Sequence, residues 1–192
     1  MTSANRLLDA AIEIQRYCGE QGWAYYFIGG IAVQHWGEAR LTRDADLTVF
    51  TGVGDEEKYV DALLSRFAPR VDDAREFALR HRVLLLHASN GIPIDLALGA
   101  LAFEERAAFA ATMEEIAPGV RLRLCGPGSL LVYKVFAGRP RDWLDAEGII
   151  EKSGSRIDWS AVRSDLGELL ALKDDAESLP RLEALLQRLM GG

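Results

Sequence analysis

Positive charge is in deficit along this chain: 22 Lys and Arg face 29 Asp and Glu, a formal net charge of −7. A general nucleic-acid coat works by displacing counterions with Lys and Arg, so the balance argues against that class. It leaves room for a local basic site, because Arg40, Arg43, Arg121, Arg123, Lys134, Arg139 and Arg141 are dense enough to form one where the fold gathers them. Cysteine is scarce as well. Cys18 and Cys125 lie far apart and outside any metal-type spacing, which leaves reduced, partly buried thiols as their reading. The three histidines, His35, His81 and His87, also lack ligand spacing and read as partly exposed structural residues. Long apolar runs are missing too. The opening MTSANRLLDAAIEIQ has no signal-peptide core, and nothing approaches the roughly 20 apolar residues of a membrane span. The expected compartment is the cytoplasm, with no membrane partner.

There is no low-complexity tract and no internal repeat, while 49% hydrophobic and 27% charged residues sit close to globular averages. A length of 192 residues suits one good core, or one core with a small helical unit attached. Apolar residues at helical spacing from Ala4 to Cys18 predict a helix closed by Gly19 and Gly22, and Trp23 to Ile28 reads as a short strand. Gly29 and Gly30 end that strand, IAVQHWGE continues as a helix, and LTRDADLTVF supplies a second strand. Asp55 is a plausible N-cap for DEEKYVDALLSRFA. After a polar, helix-prone patch, HRVLLLHA and IPIDLAL read as antiparallel neighbours joined by SNG, whose Asn-Gly is a strong tight-turn signal. A helix (LAFEERAAFA) and an alternating stretch (TMEEIAPGVRLRL) follow. From Gly128 onward every segment has helical periodicity. The expectation is an α/β (α+β) fold: a small mixed sheet in residues 1–125 and a helical C-terminal half in residues 126–192, with the boundary near Cys125 to Gly128.

The chemistry-bearing stretch is FIGGIAVQHWGEARLTRDADLTVF, which places Asp44 and Asp46 in an otherwise buried strand shortly after a glycine pair. Two residues apart on a strand, their side chains leave one face about 7 Å apart at the backbone. That is close enough for both to clasp a hard cation, and Asp95, in a later strand, can complete the site. Three carboxylates without Cys or His favour Mg²⁺ or Mn²⁺ over zinc. Magnesium leaves room for substrate phosphates, which suits phosphoryl or nucleotidyl transfer. Gly29 and Gly30 at a strand-to-helix turn let backbone amides approach a phosphate at the positive end of the helix. Each motif has a plainer alternative: a turn needing positive φ for the glycines, and an ion pair to Arg40 or Arg43 for the aspartates.

In this order, Gly29-Gly30, a short helix, Asp44-x-Asp46 and a later-strand Asp95, the chain resembles the nucleotidyltransferase superfamily with the polymerase-β-like fold. TRDADLTV together with LLVYKVFAGRPRDWLD looks like its AbiEii/MenT toxin-type group, which carries a Lys on a helix followed by an Arg and an Asp-x-x-Asp-like stretch. Lys134, Arg141, Asp142 and Asp145 match that pattern, except that Arg141 stands where these proteins often have Lys. The resemblance spans Phe27 to Asp145; the last forty or so residues carry no motif. It implies transfer of an NMP from a nucleoside triphosphate to an acceptor hydroxyl, with Asp44, Asp46 and Asp95 as metal-holding catalytic residues. Gly29, Gly30, Arg43, Lys134, Arg141 and Asp142 would serve the nucleotide. The toxin-type resemblance implies a tRNA 3′ end or a protein as acceptor and a cognate antitoxin as partner. The acidic total fits a small-molecule acceptor better, as in aminoglycoside nucleotidyltransferases. A non-catalytic nucleotide-binding module of the same fold is the alternative outside enzymology.

Overall fold

Two patterns of apolar residues build the fold, period two in the strands and helical spacing in the helices. The computed structural model describes residues 3–190. The elements begin with α1 (Ser3–Glu20), β1 (Tyr25–Phe27), α2 (Gly29–Trp36), β2 (Ala45–Phe50) and α3 (Glu56–Arg66). They continue with β3 (Ala68–Pro69), α4 (Ala74–His81), β4 (Val83–His87), β5 (Pro93–Gly99), α5 (Ala102–Ala110), β6 (Thr112–Ala117) and β7 (Val120–Leu124). Helices α6 (Pro127–Ala137), α7 (Pro140–Ser153), α8 (Trp159–Ala171) and α9 (Ser178–Met190) complete it. The seven strands form one mixed sheet in the order β3-β4-β5-β2-β1-β7-β6. The expected α/β architecture, mixed sheet first and helices after, is what the chain adopts.

By packing the chain divides into two compact units, residues 1–31 with 41–125, and residues 32–40 with 126–192. The first holds the whole sheet. In β5, Ile94, Leu96 and Leu98 are buried while Pro93, Asp95 and Ala97 are less so, and β4 repeats the alternation with Leu84 and Leu86. Each such leucine contributes about 1.5–3 kcal/mol by leaving water. The β4–β5 hairpin turns at Asn90-Gly91 as expected, with Asn90 Oδ1 accepting from Ile92 N at 3.1 Å. The stretch TMEEIAPGVRLRL is itself a hairpin, β6 against β7, with Glu115 opposite Arg121. Asp55 does not cap α3. Its carboxylate takes Lys58 Nζ at 2.6 Å, and Glu56 reaches back to Gly54 N instead.

The second unit packs α6 to α9 around Leu130, Leu131, Val135, Ile149, Leu166 and Leu182, all fully or nearly fully buried. Pro140 opens α7, where a missing N–H costs nothing, and Asp142 lies in the first turn. Asp158 caps α8 through the amides of Ser160 and Ala161. Residues 32–40 fall in this unit because the C-terminal end of α7 and the turn after it satisfy the end of α2. Ser153 Oγ donates to Trp36 O at 2.7 Å, Lys152 Nζ to Gly37 O at 3.1 Å, and the Arg156 guanidinium stacks 4.5 Å from the Trp36 ring.

Candidate metal and nucleotide site

Strand register fixes the acidic site. β2 and β5 run parallel with Ala45 opposite Ile94 and Asp46 opposite Asp95, so the two carboxylates leave adjacent strands on one face. Pairing starts at Ala45, which places Asp44 one residue before the strand instead of on it. Asp44 nevertheless joins the group: Asp44, Asp46 and Asp95 each offer an oxygen within 4.8 Å of the others. All three are half-buried. The donors are all hard oxygen, the set that suits Mg²⁺ or Mn²⁺.

The surroundings explain the glycines. Helix α2 begins at Gly29 itself, which has φ of +57°, and a Cβ there would fall on the Asp46 carboxylate. A Cβ on Gly30 would overlap Thr42. Gly30 N donates to Asp46 Oδ2 at 3.3 Å, and Thr42 Oγ1 to Asp44 Oδ1 at 3.0 Å. The glycine pair therefore serves first to seat the two aspartates against the helix start. Arg43, next to Asp44, is exposed.

The remaining candidates lie in the second unit. Lys134 is 8% exposed and pairs with Asp142 Oδ1 at 3.2 Å and Asp145 Oδ2 at 2.8 Å. Arg40 forks onto Asp145 at 2.8 and 3.0 Å, so the arginine suspected of serving the Asp-x-Asp pair faces a different carboxylate. Burial alone would raise the Asp145 carboxyl, but hydrogen bonds from Arg40 and Lys134 outweigh it and hold it below the ordinary carboxylate range. The Lys134 charge is thus shared between Asp142 and Asp145. Arg141 is exposed and borders a shallow cleft with Glu38, Arg40 and Leu144.

Two contributors were not picked out from the sequence as parts of these sites. Thr42 abuts Gly30 and holds Asp44, and Arg70 pairs with Asp95. Thr42 lies inside the motif, where a hydroxyl two residues before Asp44 is a usable signal. Arg70 carries none.

Among solved structures, the chain is similar to an antigenic nucleotidyltransferase-like protein from Paracoccidioides brasiliensis, at 15% identity and a TM-score of 0.51 over 97% of this chain and 98% of that one. It is similar to the antibiotic-resistance factor ANT(2'')-Ia at 15% identity and a TM-score of 0.54, over 95% and 99%. A third neighbour is the lincosamide antibiotic adenylyltransferase LnuA with lincomycin bound, at 11% identity and 0.51, over 76% and 97%. What is shared at these identities is the nucleotidyltransferase-like fold. No family model matches the chain, and no curated protein matches it by sequence.

Proposed function

We propose that this chain is a divalent-cation-dependent nucleotidyltransferase, moving an NMP from a nucleoside triphosphate to an acceptor hydroxyl. The observation that carries this reading is the carboxylate group itself, Asp46 opposite Asp95 with Asp44 beside them, on a fold shared with nucleotidyltransferases. Asp44 and Asp46 would hold Mg²⁺ or Mn²⁺, which when bound neutralises triphosphate charge and stabilises attacking and leaving oxygens. Asp95 would accept the proton of the acceptor hydroxyl at a carboxylate oxygen, so that the oxygen can attack the α-phosphorus with pyrophosphate leaving. Thr42 and Gly30 keep Asp44 and Asp46 in place, and the exposed Arg43 beside Asp44 is free to meet phosphate or ribose. Catalysis is assigned to the sheet-bearing unit, with the C-terminal helices as a supporting subdomain, and an NTP donor fits a cytoplasmic setting.

A small hydroxylated molecule is the acceptor we favour, since solved neighbours include a lincosamide antibiotic adenylyltransferase and ANT(2'')-Ia in complex with adenylyl-2''-tobramycin, and the chain is net acidic. The stretch KVFAGRPRDWLD favours a second reading, a toxin-type enzyme acting on a tRNA 3′ end or a protein and restrained by an antitoxin. Incubating the chain and Mg²⁺ with each α-labelled NTP, and with aminoglycosides, lincosamides, bulk tRNA or protein, tests both. Label on an antibiotic supports the first, label on tRNA or protein the second. Asp46→Asn should abolish either transfer while the variant still melts cooperatively, because Asn keeps an acceptor for the Gly30 N–H. Transfer at the wild-type rate would show that the acidic group is not the catalytic centre.

A further inference from the structure

The line across the sheet that carries the two paired carboxylates also carries a cation. Arg70 directly follows β3, and its backbone N–H donates to Leu85 O at 3.0 Å. Leu85 is the register partner of Asp95, and Asp95 of Asp46. Residues opposite one another on adjacent strands project to the same face, so Arg70, Leu85, Asp95 and Asp46 form one row. At its end the Arg70 guanidinium Nη1 donates to Asp95 Oδ1. The contact follows from the pairing of β3, β4 and β5. The donor to Asp95 therefore carries a full charge.

We propose that Arg70 is a built-in counter-cation of the carboxylate site, a positioning residue that holds Asp95 when no metal is bound and against whose charge a divalent cation must bind. The proposal rests on the metal-dependent reading given above. Three carboxylates whose oxygens lie within 4.8 Å of one another repel. Arg70 relieves that repulsion without metal and opposes the arriving cation, so it sets the affinity of the site as well as the direction in which Asp95 points. Side-chain exposures of 29% for Arg70 and 36% for Asp95 mean that solvent screens the effect. The expected change in affinity is accordingly modest, about three- to tenfold.

Mn²⁺ binding measured by calorimetry or electron paramagnetic resonance, together with melting in EDTA and in saturating Mn²⁺, tests this. Arg70→Gln should bind Mn²⁺ about three- to tenfold more tightly and melt lower in EDTA, with the difference shrinking as Mn²⁺ saturates. Arg70→Lys should restore wild-type values, and Arg80→Gln, the same charge change on an exposed helix position, should leave them unchanged. Equal or weaker Mn²⁺ binding by Arg70→Gln, or a melting deficit that persists at saturating Mn²⁺, would make Arg70 an ordinary stabilising ion pair and overturn the proposal. If the wild-type chain binds no Mn²⁺, the metal-dependent reading itself fails and the role of Arg70 fails with it.

Discussion

Replacing Gly30 with alanine sets two effects against each other. Gly30 is the second residue of α2, and exchanging Gly for Ala within a helix ordinarily stabilises it by about 0.5–1 kcal/mol. Here the new Cβ would overlap Thr42 Oγ1 and Cβ and stand 3.0 Å from Thr42 Cγ2. Rotating the Thr42 side chain moves Oγ1 and Cγ2 but leaves Cβ where the backbone puts it. The segment must therefore retreat by roughly an ångström to reach ordinary carbon contact. Overpacking of this kind costs about 1–3 kcal/mol, so the net expectation is a loss of about 1–2 kcal/mol. For a chain of this length that lowers the melting temperature by about 2–8 °C. Because Thr42 also holds Asp44, Mn²⁺ affinity should fall with stability. A double-mutant cycle with Thr42→Gly isolates the cause: in that background the alanine should recover its usual stabilising sign. Gly30→Ala melting at or above the wild-type temperature would refute the steric reasoning.

Lys134→Ala leaves Asp142 and Asp145 short of a buried partner and should cost about 3 kcal/mol in denaturant unfolding, whereas Lys173→Ala, at a more exposed pair, should cost no more than about 1 kcal/mol. Equal costs would show that the Lys134 cluster contributes no more than a surface pair. Asp145 is held below the usual carboxylate range, so its contribution is fully present above the unfolded value near pH 4 and is lost as pH falls through the folded value. The stability gap between wild type and Asp145→Asn should therefore narrow as the pH of acid melts falls below about 4, and a constant gap would contradict the assignment. Burial pushes the Cys18 thiol up to about 12, so iodoacetamide at pH 8 should label it only after denaturation. Rapid labelling of Cys18 in the native chain would contradict that.

The Asp-x-Asp pair, the third carboxylate and the SNG turn were all legible because each has a local signature: a charge at a buried-strand period, or a turn dipeptide. What was not legible depends on pairing across the sheet or between distant segments. Arg70 meets Asp95 across 25 residues, and only the register of three strands brings them together. The partners of Lys134 were chosen by helix packing. From sequence alone a lysine before Arg141 and Asp142 reads as a solvated side chain, unless the family resemblance makes it a phosphate ligand. Packing likewise chose the partner of Arg40, which lies four residues from Asp44 along the chain yet bonds to Asp145.

Parallel pairing of β2 with β5 makes the acidic site a matter of counting. One residue added to or removed from β5 between its turn and Asp95 would shift the ladder by one step. Asp95 would then move to the apolar face and Ile94 or Leu96 would take its place beside Asp46. Such a change offers no graded intermediate, only a site present or absent. The loop after β2, where Val53 is 85% exposed, imposes no such count. Anyone building chimaeras of this chain should vary length at Val53 and keep the 88–95 segment at its present length.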